Sequence, residues 1–119
     1  MRRMILVLFL SAAGFVANSK EKDSVLTVFW NLENFFDYRD GGTSDSDADF
    51  SSGGSRHWTS RKFYEKCDMI SKSLFWIGDR YGQLPDVIGV AEVENRWVLE
   101  RLLSSTLLRK YEYGIVHRE

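Results

Sequence analysis

Asp86-Val87-Ile88-Gly89-Val90-Ala91-Glu92-Val93-Glu94-Asn95 sets an unbroken apolar run, Val87 to Ala91, against an acid that arrives where the run stops. Apolar residues at consecutive rather than alternate positions predict a strand buried on both faces, as in the inner layer of a layered α/β protein. The carboxylate of Glu92 then stands at the carboxyl end of that strand, where a sheet meets solvent and sites are commonly built. Upstream, Ser24-Val25-Leu26-Thr27-Val28-Phe29-Trp30 has the same character and ends on a polar amide, Asn31. This too reads as a strand covered on both sides.

A helix is predicted between the two strands. Thr59 or Ser60 caps it, Phe63, Cys67, Ile70, Leu74 and Ile77 recur at spacings of four and three, and Gly78 stops it. Arg61, Lys62, Glu65, Lys66 and Lys72 fall on its other faces and read as solvent-facing charges. A strand, helix, strand order is compatible with neighbouring strands, which would bring Asn31 and Glu92 close together. Further on, Asn95 caps a helix with Val98, Leu99, Leu102 and Leu103 facing inward, and Tyr111 to His117 alternates well enough to begin a third strand.

The stretch from Asp37 to Ser55 is rich in Asp, Gly and Ser and reads as a long surface loop. Asp45, Asp47 and Asp49 alternate as at the start of a calcium-binding EF-hand loop. Its sixth position is Phe50 where glycine is needed and its twelfth is Arg56 where glutamate is needed, so that reading fails. Cys67 is the single cysteine, so no internal disulfide is available, and its place on the apolar stripe makes it a small buried hydrophobe rather than a nucleophile.

Sixteen basic residues against seventeen acidic ones, in a chain that is 44% hydrophobic, describe a globular protein without a basic nucleic-acid-binding tail. The first nineteen residues differ from the rest. Arg2 and Arg3 precede an apolar run from Met4 to Ala17 broken only by Ser11 and Gly14, and Ala17 and Ser19 place small residues at alternate positions. That is the layout of a cleavable signal peptide over residues 1–19, too short for the roughly 18 or more continuous apolar residues of a membrane span. The expected location is secreted or periplasmic, with no stable membrane span once the leader is removed.

Among these segments, Asn31 and Glu92 carry the chemistry. A carboxylate with an amide oxygen is a hard-oxygen set that suits Mg²⁺ or Ca²⁺, with water or substrate phosphate in the remaining positions. Spacing alone leaves a strand-end cap or turn former open beside the ligand reading.

The wording of the two strands, Phe29-Trp30-Asn31-Leu32-Glu33-Asn34-Phe35-Phe36-Asp37 and Asp86 to Asn95, resembles the first two signatures of the endonuclease/exonuclease/phosphatase, or DNase I-like, superfamily. The subgroup it resembles most is a secreted bacterial one. Trp58-Thr59-Ser60-Arg61-Lys62 and the helix after it fit the same subgroup. The resemblance implies an α+β fold, part of a four-layered α/β-sandwich of two packed β-sheets flanked by helices. Residues 20–119 would be the amino-terminal part of that domain, incomplete in this chain. Asn31 would take the place of the family's active-site asparagine and Glu92 that of the glutamate that binds the divalent cation, Mg²⁺ or another such as Mn²⁺ or Ca²⁺. Both are therefore the candidate catalytic and metal-binding residues.

The implied activity is metal-dependent hydrolysis of phosphodiester bonds, with an endonuclease-like nuclease first and nucleic acid or another phosphodiester as substrate. The family's working histidine and the Asp-x-Asn pair that orients water come late in the domain, and neither segment is among these residues. An inactive fragment, at most a binding or folding remnant, is the competing expectation. Glu94, on the same strand parity as Glu92, either supports the metal from behind or is exposed. Its acidity, where DNase I-type nucleases carry a basic residue, argues against a minor-groove mode. Asn34 and Asp37 read as loop-shaping residues, Glu33 as solvent-facing, His57 as a loop residue and His117 as a strand-end residue.

Export gives the first test. Mass spectrometry of the exported protein from its native host is expected to find a mature amino terminus near Lys20, and a chain still starting at Met1 in the cytoplasm would refute the leader.

Overall fold

Two parallel strands organise the sheet. In the computed structural model, which describes residues 6–10, 24–39 and 58–118, β2 (Thr27–Phe35) runs parallel to β3 (Val87–Val93). Thr27 lies opposite Val87 and Asn31 opposite Ala91. A reciprocal clasp fixes where the pair starts: Asp86 N donates to the Leu26 carbonyl at 2.8 Å, and Leu26 N donates to Asp86 Oδ2 at 2.9 Å. β1 (Leu6–Leu10) lies antiparallel between β3 and β4 (Tyr113–Val116), giving the order β2-β3-β1-β4.

Helix α1 (Ser60–Tyr81) joins β2 to β3, and α2 (Arg96–Ser105) with a 3₁₀ turn (Leu107–Tyr111) joins β3 to β4. Thr59 caps α1, its side chain accepting from Lys62 N, and Asn95 caps α2 by accepting from Val98 N. Contrary to the sequence expectation, α1 does not stop at Gly78; it continues to Tyr81 and ends on Gly82, whose φ of 73° suits a residue without a Cβ. Gly78 has a packing reason instead, since a Cβ there would meet Leu84 Cδ2 at 3.0 Å.

The helices bury Phe63, Cys67, Ile70, Leu74, Val98, Leu99 and Leu102 against Leu32, Phe35, Ile88 and Val90 of the sheet. Phe63 is the hub, its ring centroid 5.1 Å from that of Phe35 and 5.5 Å from that of Trp97. β3 is buried at Ile88, Gly89 and Val90, as its continuous apolar run predicts. β2, at one edge of the sheet among the described residues, corrects the expectation of a strand covered on both sides, because Phe29 on it is 65% exposed. It also runs past Asn31 to Phe35. Apolarity alone could not distinguish a strand with two covered faces from one whose second face is open.

The described residues are α+β, consistent with part of the layered sandwich. Among them no helix is long and apolar enough to cross a membrane. β1 falls inside the stretch read as a leader, so a cleavage after Ser19 would remove the strand that joins β3 to β4. The acidic loop with Asp45, Asp47 and Asp49, together with His57, lies outside the described residues.

Burial pushes the Cys67 thiol up to about 12 and, with help from the nearby Asp86, the Tyr113 phenol up to about 12 as well. Tyr113 donates its hydroxyl to the Pro85 carbonyl at 2.6 Å. Both groups stay neutral in the folded chain at pH values where the unfolded chain ionises. Stability is therefore whole below about pH 9 and falls as pH rises from there to about 12. Iodoacetamide at pH 8 is accordingly expected to leave Cys67 unmodified until denaturant unfolds the chain, and melting temperatures to fall steadily above pH 9. Stoichiometric alkylation of the folded protein would contradict the burial.

Candidate functional site

Parallel pairing of β2 and β3 holds as far as Asn31 and Ala91 and resumes at Phe35 and Val93. Between those points Leu32, Glu33 and Asn34 of β2 lie opposite Glu92 alone, a bulge that throws both strand ends out of regular geometry. Glu33 and Asn34 take φ of 49° and 53°, and Glu92 takes 58°, all in the left-handed region. Such conformations cost on the order of 1 kcal/mol or more per non-glycine residue and persist where surrounding bonds hold them. The strain marks the same two strand ends that the sequence singled out.

Hydrogen bonds around the bulge supply that restraint. Asn31 Nδ2 donates to Glu92 Oε1 at 3.0 Å, and Asn31 Oδ1 accepts from Glu33 N at 2.9 Å. These partners fix the amide orientation, since a flipped side chain would set oxygen against carboxylate and NH₂ against N–H. Asn34 N donates to Glu92 Oε2 at 3.2 Å. Each oxygen of Glu92 thus accepts one bond from a neutral donor and retains lone-pair capacity.

A second layer lies behind this one. Asp37 N donates to Glu94 Oε2 at 2.6 Å and Glu94 N donates to the Phe35 carbonyl at 3.2 Å, so Glu94 ties the chain after β2 to the end of β3. The buried Asp37 carboxylate receives Arg39 through Nε at 3.0 Å and Nη2 at 2.7 Å, and the Arg39 guanidinium lies 3.8 Å from the centroid of the Trp97 ring. Trp58 Nε1 donates to the Phe36 carbonyl at 2.8 Å.

The structure brings Asn31, Asn34 and Glu92 together with the backbone of Glu33, and Asp37 with Glu94. His117 follows β4, across the sheet from β2, and is not among them. Among the described residues no three His, Cys, Asp or Glu side chains converge.

Lys66 is a correction to the sequence reading. It is half-buried rather than solvent-facing, its Nζ donates to the Glu33 carbonyl at 2.8 Å, and it lies 5.4 Å and 5.7 Å from the Phe35 and Trp58 ring centroids. Burial lowers its pKa, opposed by the nearby charges of Glu33 and Glu92. The signal was its spacing: three residues after Phe63 and four before Ile70, at the border of the buried stripe.

Hard oxygens on a strained, pre-oriented strand end suit part of the coordination shell of a divalent cation. The sequence model of the Endonuclease/Exonuclease/phosphatase family matches residues 26–119. Searches of curated proteins and of solved structures gave no match.

The left-handed turn can be tested by itself. Asn34→Gly is expected to keep or raise stability, whereas Asn34→Val should lower it by about 1–2 kcal/mol in urea denaturation, because a β-branched residue resists positive φ. Equal stabilities would remove the strain from this position.

Proposed function

Because the chain belongs to the endonuclease/exonuclease/phosphatase family, we propose that it carries the cation-binding part of a secreted or periplasmic, Mg²⁺-dependent phosphodiester hydrolase acting as an endonuclease-like nuclease. The family suggests phosphoester hydrolysis in general, with phosphodiesters such as nucleic acids as substrates and a divalent metal. The finer reading rests on one observation: Asn31 and Glu92 are joined across the ends of the parallel strands at 3.0 Å.

Glu92 would hold the cation as its charged ligand. Asn31 would steady Glu92 through Nδ2, and its Oδ1, which accepts from Glu33 N, would be the second oxygen available to a cation. When bound, such a cation offsets charge on the phosphoryl group and the departing oxygen. The residues of this chain do the orienting. Asn31 and the Asn34 N–H aim the carboxylate, and the Glu94 tie to Asp37 holds the segment that follows. The competing reading, a remnant that binds or folds without catalysis, draws on the open face of the sheet, where Phe29 is 65% exposed.

The experiment measures Mg²⁺-dependent plasmid nicking and hydrolysis of a chromogenic phosphodiester by the protein as its host makes it. Asn31→Ala should lose about 10–100-fold, the range for removing a group that supports a metal ligand, and Glu92→Gln should lose more while the fold is kept. Wild-type turnover in Glu92→Gln refutes the assignment, and a wild-type protein without metal-dependent turnover favours the remnant.

A further inference from the structure

The carbonyl of Glu33 and the N–H of Asn34 belong to one planar peptide group. That group is held at both ends, by Lys66 Nζ donating to its oxygen at 2.8 Å and by its own nitrogen donating to Glu92 Oε2 at 3.2 Å. The residues on either side have φ of 49° and 53°, so local sterics do not select this orientation. A peptide plane can turn over about its flanking bonds with little change in the path of the chain. Turned over, this one would aim its carbonyl oxygen at the Glu92 carboxylate. An ammonium on the carbonyl opposes that turn, and Lys66 is well placed to apply it. Its helix is anchored by the buried Phe63 and Ile70, and its ammonium is flanked by the Phe35 and Trp58 rings, 5.4 Å and 5.7 Å from their centroids.

We infer that Lys66 is a positioning residue for Glu92: it locks the 33–34 peptide so that the Asn34 N–H holds the carboxylate ready for a divalent cation. The inference rests on the proposed reading of Glu92 as the metal ligand. Lys66 acts through the backbone, at the Glu33 carbonyl.

The test uses ¹⁵N-labelled protein as its host makes it, with Lys66→Met, Lys66→Arg and Glu92→Gln beside the wild type. Amide exchange is read at Asn34 and at the core residues Val90 and Leu99, and binding of Mg²⁺ alone is read by calorimetry. Lys66→Met is expected to speed exchange at Asn34 by about tenfold, the worth of one hydrogen bond, and to leave the core amides unchanged. Mg²⁺ binding should weaken several-fold. Coulomb's law by itself predicts the opposite, because removing a positive charge near Glu92 would tighten cation binding. Lys66→Arg, which keeps a donor and the charge, should restore both readouts. If Lys66→Met does not fold, Lys66→Gln, whose shorter side chain falls short of the carbonyl, carries the same expectations.

Unchanged Asn34 exchange, tighter or unchanged Mg²⁺ binding, or faster exchange spread equally over the core would each overturn the lock. Glu92→Gln decides the underlying reading separately. Loss of Mg²⁺ binding there supports Glu92 as ligand. Wild-type binding removes that assignment whatever Asn34 shows.

Discussion

The parallel register of β2 and β3 is the constraint on which the site depends. The Leu26–Asp86 clasp sets the start of the pair, and every later position follows from it until Asn31 faces Ala91. Because side chains alternate along a strand, a slip of one residue would turn Ile88 and Val90 out of the core and carry Asn31 away from Glu92. The core thus enforces the register, and the register delivers the amide to the carboxylate. The bulge beyond Asn31 then lets the backbone of β2 curl back, so that the N–H of Asn34 reaches the same acid.

Much of this was legible in the residues. The continuous apolar run of Val87 to Ala91 identified a buried strand, the stripe from Phe63 to Leu74 identified the helix, and Thr59 and Asn95 marked caps that the structure contains. Asn31 and Glu92 stood out because a polar group ended an apolar strand. The misses also have physical causes. Gly78 looked like a helix end because its use, close approach of Leu84, is a tertiary contact. The exposure of Phe29 depends on which sheet face is covered, and hydropathy does not carry that information. The left-handed turn at Glu33 and Asn34 contains no glycine to announce it, and the role of Lys66 needs the turn to exist first.

The amino-terminal apolar run admits two uses. Export would use residues 1–19 as a leader, in which the Arg2-Arg3 start, the apolar run and the small residues at Ala17 and Ser19 matter. The sheet uses Leu6–Leu10 as the strand between β3 and β4, where backbone hydrogen bonds to both neighbours matter. A leucine-rich apolar segment suits either use, and its place behind Arg2 and Arg3 and before Ala17 and Ser19 is what read as a leader. Were the run a leader, it would be engaged as it emerged, before β3 and β4 existed to pair with it.

The arrangement of charge around Glu92 also has a physical logic. An ammonium placed directly on the carboxylate would form an ion pair, and an incoming cation would have to displace it. Lys66 instead bonds the carbonyl of Glu33, and among the described residues the carboxylate receives an amide NH₂ and a backbone N–H. Neutral donors orient an anion without cancelling its charge, so the attraction for a divalent ion is retained while the freedom of the side chain is reduced. The left-handed residues add to the same end. Their strain is offset by the bonds of Glu33 N to Asn31 and Asn34 N to Glu92. On the proposed reading of Glu92 as a metal ligand, a carboxylate held in one geometry beforehand would lose less entropy on binding than one that must first be ordered.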